Sequence, residues 1–246
     1  MSWPRGWPIA SRPHSPADAA MRILIVLTSQ AVMGETLRPT GLWIEEFAAP
    51  YFVLRDAGAE ITLASPKGGA VPTDPTGDAW TPVPSSVARF RSDPAAQAAL
   101  AETIPLARID ATGFDAIFYP GGLGPMWDLV ENTRSIALIE QAFSRKIPIA
   151  FICHGQAALT AARMPDGRPL VAGRTLTAFS RVEDEAAGLA TLAPFILEDR
   201  LRALGADYRC GPPHAPFVVR DGPLITGQNP ASSQMLGEAL LALLKA

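Results

Sequence analysis

Apolar residues fill 23–27 without a polar break, and the stretch 147–152 is apolar and rich in β-branched residues. Such runs mark parallel strands buried on both faces. The stretch 42–56 has another period. Trp43, Phe47, Tyr51 and Leu54 recur at helical spacing and make one apolar stripe, with Glu45 and Glu46 in the same helix. Pro50 lies inside that pattern, so a kink or an early break is expected. Ala57-Gly58-Ala59 stops the helix, and 60–64 reads as a second strand. A β-α-β unit with a helical crossover predicts a parallel sheet.

The alternation continues to the C-terminus. Residues 93–102 read as a helix capped by Ser92 or Asp93, 114–119 as a strand, 136–144 as a helix and 173–178 as a strand. The stretch 194–204 is helical and stops at Gly205, and the last helix ends near Leu244. Residues 217–219 and 224–226 form two strands joined at Asp221-Gly222, a hairpin signal. The stretch 65–87, rich in Pro, Gly, Asp and Thr, reads as a long loop. The fold class is therefore α/β, a flavodoxin-like three-layer sandwich with a mainly parallel sheet and helices on both faces.

Composition narrows the class. The chain has 246 residues, 48% hydrophobic and 18% charged, enough for one large soluble domain. A net charge of −3 gives no electrostatic argument for nucleic acid or an anionic membrane as partner. No apolar run is long enough to span a bilayer. Two cysteines, Cys153 and Cys210, are too few for a disulfide scaffold and fit a reducing cytoplasm. Residues 1–20 are Pro-rich, carry Trp3, Trp7 and His14, and lack the apolar core of a secretory signal. They read as an extension, disordered or packed on the surface, ahead of a domain over 21–246.

The chemistry gathers around 147–159, where a buried strand runs into an Ala-rich helix with Cys153 at the junction. A sharp strand-to-helix turn presents a side chain at the carboxyl edge of a sheet, and the glycine that follows, Gly155, lets the backbone turn tightly. The adjoining helix amino end favours thiolate, so Cys153 is expected to have a depressed pKa. The alternative is a small buried hydrophobe. Tyr119-Pro120-Gly121-Gly122-Leu123-Gly124 follows another strand, where backbone N–H groups can approach a ligand and hold an oxyanion. The patch Glu183-Asp184-Glu185 is either part of a site or a helix amino end. Cys210 with His214 supplies too few ligands for a metal site, and no metal or cofactor is expected.

Together, Phe114-Asp115-Ala116 leading into Pro120-Gly121-Gly122, the Cys153-His154-Gly155 elbow, and Gly227-Gln228-Asn229-Pro230-Ala231-Ser232-Ser233 resemble the ThiJ/PfpI superfamily, whose fold is related to class I glutamine amidotransferases. Thr40-Gly41-Leu42-Trp43 with Glu46 and Pro50, and Pro66-Lys67-Gly68-Gly69 with Asp74-Pro75, are similar to its chaperone-like glyoxalase III branch. The resemblance implies Cys153 as nucleophile and Glu46, rather than Glu45, as the carboxyl that shuttles protons. It implies His154 oriented by Asp184, with Glu183 as the alternative, and an oxyanion hole from the N–H groups of Gly122 and His154. Relatives often carry histidine where this chain has Leu123, which implies a more apolar site mouth. Gln156 and Asp184 are further variations. The implied activity is cofactor-independent conversion of methylglyoxal to lactate, with a small carbonyl as partner and a homodimer as assembly. The alternatives are a stress-responsive chaperone or redox sensor using Trp3, Trp7 and 65–87 as its surface, and an amidase or peptidase using the same nucleophile.

Overall fold

The computed structural model describes residues 20–79 and 81–246. All but Ala20 of the 1–20 extension lies outside the described residues. The strands are β1 Arg22–Val26, β2 Glu60–Ser65, β3 Ile104–Pro105, β4 Ala116–Tyr119, β5 Ile149–Ile152, β6 Thr175–Leu176, β7 Asp207–Tyr208, β8 Val218–Asp221 and β9 Leu224–Gly227. Seven of them form one sheet in the order β3-β2-β1-β4-β5-β9-β8, while β6 and β7 pair separately. Every pairing in the large sheet is parallel except β8 with β9, the hairpin that turns at Gly222 with φ 59°. The helices are α1 Ile44–Asp56, α2 Pro75–Asp78, α3 Ser85–Arg91, α4 Pro94–Ala101, α5 Pro125–Asp128, α6 Thr133–Ser144, α7 Arg181–Ala186, α8 Leu197–Ala203 and α9 Ser233–Leu244.

The apolar runs of the sequence become strands with two buried faces. Leu24, Val26, Ile117, Tyr119, Ile149 and Phe151 pack into one hydrophobic cluster with α6 and α8. Their alternate neighbours Ile23, Ile25, Ala116, Phe118, Ala150 and Ile152 pack into a second cluster with α1, α4 and α9. The period of two along each strand sends successive side chains to opposite faces, and three layers result. Phe118 and Phe151 are fully buried, and truncating either to alanine costs about 3–5 kcal/mol.

Pro50 does not break α1, which runs unbroken to Asp56. Proline offers no N–H to the carbonyl four residues back, but its ring lies against α9. A Cβ added at Gly237 would sit 2.8 Å from Pro50 Cα, so glycine there admits the close approach. The stretch 65–87 is not the loop expected. It carries α2 and the start of α3. Asp74 caps α2 by accepting from Thr76 N–H at 2.9 Å, with Pro75 at the first helical position. Thr73 bridges to Leu42, and a Cβ at Gly41 would meet Pro72 O at 2.1 Å. The excursion is thus laid against the chain that leads into α1. Residues 173–178 yield only the short β6, and α6 starts three residues early because the Asn132 side chain caps it through Ser135 N–H. Among the described residues no helix is long and apolar enough to cross a membrane.

Candidate active site

Three segments meet at the carboxyl edge of the sheet. The first is the elbow after β5. Ile152 is extended at φ −136°, and Cys153 turns to φ 59°, a conformation that a side-chain-bearing residue adopts only where its surroundings hold it. The turn that follows, Cys153–Leu159, is a 3-10 helix rather than the α-helix expected. Gly155 is pressed against the end of β4, where a Cβ would lie 2.5 Å from Tyr119 O. The sulfur sits at the strand end as expected, with Cys153 only 4% exposed.

The second segment is Pro120-Gly121-Gly122 after β4. A Cβ on Gly121 would meet Glu46 Oε2 at 2.7 Å and His154 N at 2.9 Å. Gly122 adopts φ 83°, and a Cβ there would meet Gly41 O at 2.2 Å. Neither position has room for a side chain. This bare backbone lets the Gly122 and His154 N–H groups reach the Cys153 sulfur, which they stabilise as thiolate.

The third segment is the first turn of α1. Glu46 is fully buried and accepts from Gly121 N–H at 2.9 Å through Oε2. Oε1 has no hydrogen-bond partner, yet the carboxyl is near enough to Cys153 for each to alter the other's acidity. Burial pushes the Glu46 pKa from 4.5 up to about 8, against the opposing bonds from Cys153 and Gly121. Burial and the neighbouring Glu46 also push the Cys153 thiol well above its ordinary range. This corrects the expectation of a depressed thiol pKa. Desolvation and a nearby acid outweigh what a short 3-10 helix and two backbone N–H groups supply. The two groups titrate as a pair, whose first proton leaves above neutrality. Glu45 is only partly buried, and adjacent residues diverge by about 100° around a helix. The structure therefore brings Glu46, not Glu45, to the elbow.

His154 Nδ1 lies 3.4 Å from Cys153 Sγ, and Nε2 lies 3.0 Å from Asp184 Oδ1. The His154 ring also packs on Phe179, with centroids 4.8 Å apart. Both His154 and Asp184 are buried. Of the two acids considered, Asp184 meets the histidine, while Glu183 points into another network. Leu123 is 3% exposed and belongs to the hydrophobic core, so it does not line an open mouth as expected. Cys210 and His214 are exposed. Among the described residues no three His, Cys, Asp or Glu side chains gather as metal ligands. Two open surface concavities lie away from Cys153, one between α1, α3 and α9, the other beside Arg22 and Phe114.

Two residues acquire a place the sequence did not predict. Gln156 Nε2 donates at 2.9 Å to Thr177 O and to Gly227 O, tying the elbow to β9. Glu183 accepts from donors 31 to 46 residues away as well as from its own cap. No local pattern announces such bonds, although the Ser180-x-x-Glu183 spacing is that of a capping box.

The match to the model of the DJ-1/PfpI family spans residues 44–243. A glutathione-independent glyoxalase of Schizosaccharomyces pombe is 30% identical over 212 residues, 82% of this chain and 86% of that protein. The structure of the 24 kDa rapid encystment protein of Francisella tularensis superposes with a TM-score of 0.87 at 31% identity, covering 91% of this chain and 99% of the other. Glyoxalase III of Candida albicans shares the fold, with a TM-score of 0.80 at 23% identity over 90% of this chain and 96% of that one. With a family match over most of its length and the elbow, glycine pair and buried carboxyl converging on one thiol, the chain belongs to the DJ-1/PfpI family.

Proposed function

We propose that the protein is a cofactor-independent enzyme of the glyoxalase III type, a lyase that converts methylglyoxal and water to lactate. The observation that carries this reading is the buried pair, a thiol on a strained elbow beside a carboxyl whose pKa is pushed up to about 8. Aldehyde isomerisation needs a nucleophile and one group that both takes and gives a proton within a dry site. The relative named as a glutathione-independent glyoxalase supports the same reading.

In this mechanism the reacting form is the pair after its first proton has left, with the remaining proton on Glu46 while the Cys153 thiolate bonds to the aldehyde carbon. The resulting oxyanion is held by the Gly122 and His154 N–H groups. Glu46 gives its proton to that oxygen, giving a neutral hemithioacetal and a free carboxylate. The carboxylate takes the hydrogen from the former aldehyde carbon as a proton, and the electron pair moves onto the ketone oxygen to form an enediolate. Glu46 then protonates the former ketone carbon while the hemithioacetal hydroxyl proton passes to the former ketone oxygen, which leaves a lactoyl thioester and the Glu46 carboxylate. Water adds to the thioester carbonyl, the C–S bond breaks, and Cys153 is restored. His154, braced by Asp184, keeps its ring beside the sulfur throughout.

A second reading has support in the His154 contacts, since sulfur, imidazole and carboxylate are in series as in a cysteine hydrolase. The near-complete burial of Cys153 favours a small carbonyl over a peptide. Lactate formation from methylglyoxal without glutathione, followed by proton NMR, tests the proposal. Wild type is expected to produce lactate and Cys153→Ala none. An inactive wild type that cleaves amide substrates instead would overturn it.

A further inference from the structure

Asp184 is buried, yet it makes one side-chain bond, to His154 Nε2, and its second oxygen, Oδ2, has no partner. A carboxylate held by a single bond is not aimed by its own contacts. Its direction comes from the backbone that carries it, the first turn of α7. That turn is fixed through the neighbouring residue. Glu183 is also fully buried, and its side chain leaves the helix on another side.

Glu183 accepts five hydrogen bonds. Oε2 receives Ser180 N–H at 3.0 Å, Ser180 O–H at 2.7 Å and Gln228 Nε2 at 3.0 Å. Oε1 receives His214 N–H at 2.8 Å and Asn229 Nδ2 at 2.8 Å. All five donors are neutral. They outweigh the cost of burial and leave the carboxyl below its ordinary pKa. The donors come from the α7 cap, the loop at His214 and the chain after β9. The end of β9, just before Gln228, is also held from the elbow, because Gln156 Nε2 donates to Gly227 O. A continuous series thus runs from the elbow through Gln156, Gly227, Gln228 and Glu183 to the segment that presents Asp184.

We propose that Glu183 is the positioning residue that registers Asp184, and through it the His154 ring, against Cys153. This rests on the reading of the site given above, but it concerns the geometry of His154 and not the identity of the substrate. Glu183 touches no reacting atom. Its charge collects three segments distant in sequence, so the Asp184 carboxylate meets Nε2 without anchors of its own.

The test is Glu183→Gln. The shape is kept, but the amide NH2 must face at least two donors whichever way it is turned. In wild type, the His154 ring N–H bonded to Asp184 is expected as a downfield proton resonance in protein labelled with 15N-histidine. In Glu183→Gln that resonance is expected to vanish, and the pH midpoint for alkylation of Cys153 by iodoacetamide to shift. Turnover is expected to fall about tenfold in kcat with KM within about twofold. A folded variant with the wild-type resonance and alkylation profile would overturn the proposal. Should Glu183→Gln fail to fold, Glu183→Asp decides the matter. It keeps the charge and shortens the reach, so a weakened resonance is expected and an unchanged one overturns the assignment. Neither the resonance nor the alkylation midpoint needs a substrate. A wild type that makes no lactate yet shows the His154 effects refutes the proposed function and leaves this assignment intact.

Discussion

Glu46 and Glu183 are both fully buried glutamates in the first turns of helices, and their acidities move in opposite directions. Glu46 accepts from Gly121 N–H on Oε2 and has no hydrogen-bond partner on Oε1, and its pKa rises to about 8. Glu183 has five donors, and its pKa falls. Exclusion from solvent alone therefore does not set the role of a carboxyl. Desolvation penalises the charge of both, more heavily at Glu46, and at Glu183 the five N–H and O–H donors outweigh it. The under-supplied acid, beside a thiol, is fitted to move protons. The fully supplied acid is fitted to hold segments in place.

The largest effects fall on the proton-moving side. Cys153→Ala is expected to abolish turnover, since no other group can carry the thioester, and lactate assays check this. Glu46→Gln is expected to leave Cys153 open to alkylation while lowering lactate formation by roughly 10²–10⁴-fold, the usual worth of general acid–base catalysis. Asp184→Asn comes next. It removes the charge facing Nε2, so its loss in kcat is expected to be smaller than that of Glu46→Gln when the two are compared at one pH.

Stability offers a finer contrast. Folded Glu46 keeps its proton up to about pH 8, whereas the unfolded chain loses it near 4.5. Stability on this account falls as pH rises through that window. Glu46→Gln is therefore expected to melt higher than wild type at pH 8, with the gain shrinking towards pH 4.5. Glu183 has the opposite sign. Its lowered pKa stabilises the fold above the unfolded value, and this contribution fades as pH falls through the folded one. Glu183→Gln is expected to melt lower than wild type at neutral pH, by less in acid. Thermal melts of the two variants across pH separate these trends, and trends of the same sign would break the comparison. The smallest effect belongs to Glu45→Gln, which is expected to change turnover by less than about twofold, since the Glu45 side chain leaves the helix about 100° from that of Glu46.

The layers of this fold were legible because β4, β5 and all of β1 after Arg22 are apolar, and two-sided burial leaves no other arrangement for such short runs. The elbow was legible because Cys153 directly follows a strand and Gly155 stands two residues further on. The preference for Glu46 over Glu45 came from resemblance, and in the structure Glu46 is the one that is fully buried against Gly121. What could not be read depends on neighbours distant in sequence. Asp74-Pro75 is a good helix start, but the short α2 within 65–87 also needs the bridge from Thr73 to Leu42 to hold it. The direction of the Cys153 shift could not come from the helix end alone, because burial under Pro120-Gly121-Gly122 and beside Glu46 is a tertiary fact. Leu123 next to a glycine pair suggested a mouth, and only the packed cluster places it in the core. Glu183 looked like a rival to Asp184 until its donors from residues 214, 228 and 229 were in view.

The contrast between the two carboxyls is tested most directly by titrating them. Carboxyl 13C shifts of glutamate-labelled protein, assigned with Glu46→Gln and Glu183→Gln, follow each group from pH 4 to pH 10. The account predicts that the Glu46 resonance moves with a midpoint near pH 8, while Glu183 stays ionised above pH 5. A Glu46 carboxyl already ionised at pH 6 would contradict the account, because the site would then hold no neutral acid to share its proton with Cys153.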